Sequence, residues 1–107
     1  LFIKYRKNLK FKPAAAVVSA RRAGTSATLD DLNKYFTNNQ MPVVSSNYWN
    51  MVHGSAPEDV MKDLEGVEIM ETLGRNMAWI LKCIEAGKAA GIEHPQDKER
   101  VRTNFIR

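Results

Sequence analysis

The sequence is poor in cysteine: Cys83 is the only one in 107 residues. A single thiol excludes an intrachain disulfide framework and any CxxC metal or redox pair, and it suits a reducing compartment. Long apolar runs are missing as well. Nothing approaches the roughly 20 consecutive apolar residues of a membrane-spanning helix, and no basic-then-apolar secretory signal opens the chain, so a cytoplasmic location is expected. There are no internal repeats or low-complexity tracts, which excludes a solenoid or a linker protein. Acid is lacking in one region only. Residues 1–22 hold seven bases (Lys4, Arg6, Lys7, Lys10, Lys12, Arg21, Arg22) and no Asp or Glu, although the whole chain has 16 bases against 12 acids, a net charge of +4. What remains, 44% hydrophobic and 26% charged residues, is the profile of one small domain.

The periodicity predicts five pieces. Leu1, Phe2, Tyr5 and Leu9, with bases between them, form the end of an amphipathic helix stopped by Pro13. Ala14-Ala15-Ala16-Val17-Val18 is short and wholly apolar, which predicts a central strand buried on both faces. Thr25 and Ser26 stand where an N-cap would start a second helix over residues 28–37, with Leu29, Leu32, Tyr35 and Phe36 on its apolar face and Asn38-Asn39 ending it. Met41-Pro42-Val43-Val44-Ser45 is a second apolar run, so the order strand, helix, strand reads as a βαβ unit with two parallel neighbours. Residues 46–54 are then a polar and aromatic loop, and Ser55 with Glu58 has the form of a capping box. From Leu64 to Ala90 one stripe (Leu64, Val67, Met70, Leu73, Met77, Ala78, Ile80, Leu81, Ile84) defines a long helix with Gly91 as its C-cap. Of the glycines interrupting it, Gly74 is expected to permit close backbone approach to a neighbour. The tail lacks a core pattern until Phe105-Ile106.

Two buried parallel strands with three helices do not close a domain, because apolar faces and strand edges need cover. The chain also opens on Leu1 rather than methionine, so further strands of an open α/β sheet are expected to precede it, in the same chain or a partner. Ligands in such sheets bind beyond the carboxyl ends of the strands. Those ends lead here into residues 19–25, with two arginines and a glycine beside hydroxyls, and residues 45–54, with Asn, Tyr, Trp and His. Together they suggest an anion-friendly, aromatic-lined crevice for a planar, negatively charged or electron-rich ligand.

Four blocks in order, Lys12-Pro-Ala-Ala-Ala-Val-Val-Ser-Ala-Arg-Arg-Ala-Gly-Thr25, Gln40-Met-Pro-Val-Val-Ser-Ser46, Tyr48-Trp-Asn-Met-Val-His-Gly54 and Leu73-Gly-Arg-Asn-Met-Ala-Trp79, resemble the carboxyl-terminal half of NADPH-dependent FMN reductase-like proteins of flavodoxin fold. The resemblance spans residues 1–92. It implies a flavodoxin-like doubly wound parallel sheet, of which residues 1–107 form a partial domain: the fourth and fifth strands and their helices. The family's phosphate-binding loop and its aromatic loop, which belong to the other half, have no counterpart here. The bend after the family's fourth strand approaches the isoalloxazine ring, which makes Ser19, Ala20, Arg21, Arg22, Gly24 and Thr25 the implied cofactor-binding residues for FMN. A hydride from NAD(P)H builds negative charge toward the flavin's N1 and O2, which donors or an arginine there would favour. No side chain is required as a nucleophile. The resemblance also implies a homodimer or homotetramer and an electron acceptor that the residues do not specify. Two other readings stand beside the reductase: a non-enzymatic flavodoxin-like electron carrier, and a structural or interaction module that binds no flavin alone.

Plainer readings accompany each motif. Arg21 and Arg22 also suit a solvated loop, and Tyr48 and Trp49 suit simple packing as well as stacking or an interface. His53 more often caps a turn than acts as an acid, so no catalytic residue is assigned. Cys83, between Leu81 and Ile84, is expected to be a buried, inert thiol, and Met70, Met77 and Trp79 to be core or subunit interface. The basic opening is the solvated face of a helix rather than a nucleic-acid site. Glu58, Asp59, Asp63, Glu65 and Glu68 favour helix starts, and no metal is read into them.

Overall fold

Two helices end in the same unusual way, and this sets the direction of both extended segments. The computed structural model describes residues 2–106. Helix α1 spans Phe2–Leu9, and the chain leaves it through Phe11, whose φ of 63° lies in the left-handed region. Helix α2, Thr25–Asn38, is closed by Asn39, whose Nδ2 donates to the Tyr35 carbonyl at 2.7 Å, and Gln40 follows at φ 57°. The two exits meet, because the Phe11 N–H donates to the Gln40 carbonyl at 3.0 Å. Left-handed backbone costs a non-glycine residue roughly 1–2 kcal/mol. Here it turns both chains into extended segments that start side by side.

Those segments run parallel. Ala14 bridges Val43, its N–H donating to the Pro42 carbonyl and its carbonyl accepting from the Val44 N–H, both at 2.9 Å. Strand β1 (Val18–Ala20) then pairs with β2 (Met51–His53) in the register Val18↔Met51, Ser19↔Val52, Ala20↔His53. With α2 packed on β1 and joining the two, the βαβ unit expected from the sequence is present. Its second strand is not where the apolar run predicts. Residues 41–45 contribute one bridge, and the ladder strand lies in residues 51–53, within the expected loop. Val43 stands 29 positions beyond its partner and Met51 33 beyond its own, so four extra residues are looped out between them.

Side-chain hydrogen bonds stabilise this excursion. Ser46 Oγ donates to the Ile69 carbonyl at 2.7 Å, Asn76 Nδ2 to Ser45 O at 2.8 Å, and Asn50 Nδ2 to Ala16 O at 3.0 Å. The run 41–45 is apolar because it fills the core: Met41 is buried and Val44 is 2% exposed. The first run is not buried on both faces, contrary to expectation. Ala14 and Ala16 are buried, but Ala15 between them is only half-buried and Val17 is 58% exposed, since alternate side chains point to opposite faces of a strand and the second face stays partly open.

After β2 the chain makes a single helical turn, α3 (Pro57–Val60), with Ala56 at its N-cap. The expected Ser55 capping box does not form, because Pro57 fixes the helix start one residue too late for Ser55 to cap it. Helix α4, Leu64–Ala89, begins at Asp63, which accepts from the Gly66 N–H at 3.0 Å. The close approach expected at Gly74 occurs at Gly66 instead. A Cβ on Gly66 would lie 2.9 Å from Val52 Cγ2 on β2, whereas one on Gly74 would meet nothing within 4 Å. Helix α4 packs on β2 through its first half, where Gly66, Ile69 and Leu73 are buried. Its C-cap is Ala90 rather than the expected Gly91, which follows in the left-handed region at φ 84°, with the Ile92 N–H reaching back to Gly87 O at 2.9 Å and Gly91 N–H to Lys88 O at 3.1 Å.

The second half of α4 extends beyond the sheet. Trp79 is 66% exposed, and Leu81 and Ile84 are exposed with it. Cys83 is exposed too, which corrects the expectation of a buried thiol: the stripe is continuous, but the sheet it would pack against stops short. Cys83 should therefore be modified by a thiol-specific disulfide reagent in the native chain as fast as in urea. Protection of at least about tenfold would mean that α4 is covered in solution. The tail, residues 92–106, has no regular structure, and Phe105 and Ile106 join no core. It is tied to the turn after α1 by the stacked rings of Phe11 and His94, 4.8 Å apart, and by a Lys10–Asp97 ion pair.

The accessible surface is 8864 Å² and the radius of gyration 17.4 Å. A closed domain of this mass exposes about 6,000 Å², with a radius of about 13 Å. Both values exceed these, in keeping with a tail without regular structure and an α4 whose second half is exposed.

Candidate functional site

Parallel pairing brings the carboxyl ends of β1 and β2 together. Ala20 faces His53 in the register, and the Gly54 N–H donates to the Ala20 carbonyl at 3.2 Å. Beyond Ala20 the chain bends through Arg21, Arg22 and Ala23, all exposed, and enters α2 at Gly24. Gly24 is the N-cap in place of the expected Thr or Ser. Its φ of 92° turns the bend back onto the sheet, a conformation that glycine adopts without strain. Thr28 Oγ1 donates to the Gly24 carbonyl at 2.8 Å, which pins the turn from the helix side.

The six residues singled out in the sequence divide by what they do here. Ser19 is exposed on the strand, and Ala20 is half-buried at its end. Thr25 is buried, and its hydroxyl points to Met51 Sδ at 3.3 Å, so its side chain ties α2 to β2 rather than facing a ligand. Arg21 and Arg22 make no ion pair among the described residues. The first turn of α2 has no acidic residue and its start has no side-chain cap, so helix dipole and guanidinium groups make this bend positive.

On the neighbouring strand end the organising residue is one the sequence reading gave only a helix-start role. Asp63 Oδ2 accepts from the His53 backbone N–H at 2.8 Å, while Oδ1 accepts from Gly66, so one carboxylate joins the end of β2 to the start of α4. An acid three residues before a glycine at a helix start was the available signal. Hydrogen bonds from the Gly66 and His53 amides hold the Asp63 carboxyl below its ordinary 3.8, and the His53 ring, 3.7 Å away at Nδ1, adds to this. A carboxyl lowered by folding stabilises the fold fully above its unfolded value and loses that contribution as pH falls through the folded one. Below pH 3.8 the urea midpoint of the chain should therefore drop more steeply than that of Asp63→Asn; parallel profiles would remove Asp63 from this role.

Tyr48 and Trp49 stand on the excursion before β2, both exposed, with ring centroids 4.9 Å apart. Tyr48 also lines a cleft of 220 Å³ with Met51, His53, Asp63, Glu65 and Ile69. Among the described residues no group of three or more His, Cys, Asp or Glu could hold a metal, and no helix is long and apolar enough to cross a membrane.

The fold and this edge define a mixed α/β chain whose parallel strand pair ends in a basic, glycine-turned bend. No family model matches the chain, and neither a curated protein nor a solved structure is significantly similar to it.

Proposed function

We propose that this chain is part of a flavodoxin-like flavoprotein, an FMN-binding reductase that uses NAD(P)H, and that the bend at residues 19–25 is one wall of its flavin pocket. The observation that carries the reading is the juxtaposition at the sheet's carboxyl edge. There the Arg21-Arg22 bend and the start of α2, which has no side-chain cap, lie beside the end of a parallel neighbour. Parallel α/β sheets bind ligands at such edges. The donor set also fits the electron-rich edge of an isoalloxazine ring. Bound flavin would supply the hydride and electron chemistry. The chain's own part is to present backbone N–H groups and a guanidinium to the ring edge and, through Tyr48 and Trp49, to shield it from water.

A flavin needs a second wall and a phosphate cradle, and we assign both to further strands of the same sheet, in the same chain or a partner. The exposed face at Val17 and the overhang of α4 at Trp79 are the surfaces such strands would cover. The test is to isolate the native assembly through this chain and assay it for flavin. FMN at one per copy, bleached by NADPH under anaerobic conditions, is the expected result. Flavin that NADPH does not reduce would favour an electron carrier. An assembly without flavin would leave only the structural module.

A further inference from the structure

A second basic region lies far from the strand ends, between α1 and the tail. Arg6, Lys7 and Lys10 project from α1 and the turn after it, Lys98 and Arg100 come from the tail, and together they line a cleft of 590 Å³. Asp97 is the only carboxylate lining it. We propose that this cleft binds a diphosphate or longer polyphosphate group, and that Asp97 is a built-in substitute for that anion.

The geometry of the Lys10–Asp97 pair supports the assignment. The Lys10 side chain is 15% exposed, whereas that of Asp97 is 78% exposed. The cation is the partner removed from water, and a desolvated ammonium requires an anion beside it. The acid sits on a segment without regular structure. Lys10 is fixed at the turn after α1: its backbone N–H donates to the Arg6 carbonyl at 3.0 Å, and its ammonium lies 5.1 Å from the Phe11 ring centroid. The Asp97 carboxyl is held below its ordinary value by the hydrogen bond and charge of Lys10, then by Lys7 and Arg6, so several cations act on the one point an anion already occupies.

A simpler explanation covers only half of the cluster. Bases in the last turn of a helix favour its negative end, which accounts for Arg6 and Lys7. It does not account for Lys98 and Arg100, which have no helix to serve and make no ion pair among the described residues. With Lys10 engaged by Asp97, four cations are left around one open cleft. That excess suits several phosphate charges rather than one carboxylate.

Calorimetric titration of the full chain with inorganic pyrophosphate at fixed ionic strength tests the proposal, with circular dichroism confirming that each variant is folded. Saturable binding is expected, weakened at least about tenfold by Lys7→Glu. Asp97→Asn should tighten it several-fold by removing the internal competitor, while Glu99→Gln, which removes a nearby exposed acid outside the cleft, should leave it unchanged. Absence of saturable binding, equal responses to Asp97→Asn and Glu99→Gln, or preference for a single-stranded oligonucleotide over pyrophosphate would overturn it. Tighter binding of ADP than of pyrophosphate would identify a nucleotide as the source of the phosphates, and equal binding a free polyphosphate.

Discussion

Gly66→Ala should destabilise the chain, and Gly74→Ala, eight residues further along the same helix, should not. A Cβ at position 66 would sit 2.9 Å from Val52 Cγ2 and 2.5 Å from Asp63 Oδ2, closer than side chains tolerate. Helix α4 must then move off β2 or Asp63 must give up its hydrogen bonds to His53 and Gly66. Overpacking against Val52 alone costs about 1–3 kcal/mol. At Gly74 the added methyl meets nothing, and replacing a helix-interior glycine by alanine stabilises by up to about 1 kcal/mol. Urea melts followed by helical ellipticity should move in opposite directions for the two variants. A shift of the same sign and size would mean that the α4 to β2 contact is not made at Gly66.

On the proposed reading of the bend as a flavin wall, Gly24→Val should weaken FMN binding in the native assembly at least about tenfold, a change of roughly 1.4 kcal/mol. At φ 92° a β-branched residue is strained whatever the surrounding space, and the surrounding space is open. The loss would come from the backbone, because the bend must reshape to relieve the strain and carries Arg21 and Arg22 with it. Equilibrium titration of the apoprotein with FMN, read by quenching of flavin fluorescence, measures the effect. Unchanged affinity would detach the bend from the pocket and leave Gly24 as a turn residue only.

What could be read from the sequence follows from the range of the forces involved. The helices α1, α2 and α4 are written in local apolar periodicity, and the parallel relation of the strands follows from a helix joining two short apolar runs. The position of β2 was hidden because it depends on a non-local competition. Residues 41–45 hold the longer apolar run, yet Met41 and Val44 go to the core, and the ladder forms with Met51, Val52 and His53. Residue type alone could not separate Gly66 from Gly74, since the difference lies in what stands opposite each one. Thr25 and Ser26 are good capping residues by preference, but the sharp bend after β1 requires a left-handed residue, and Gly24 supplies it. The exposure of Cys83 lies outside the sequence for a related reason: a helical stripe tells which way a side chain points, not how far the neighbouring sheet extends.

The interrupted pairing of the second extended segment has a consequence for how this chain can vary. Val43 and Met51 are each fixed to the first segment by their own bridges, so the bulge between them acts as slack. Residues added or removed there would shift neither anchor and would not flip the inward and outward alternation of β2, whereas one extra residue inside β2 would flip it. Lengthening such a stretch costs little, about 0.6 kcal/mol per doubling. Variants that differ in size at this bulge can therefore keep the same scaffold while exchanging the aromatic pair it displays, which lets the surface diversify without renegotiating the sheet.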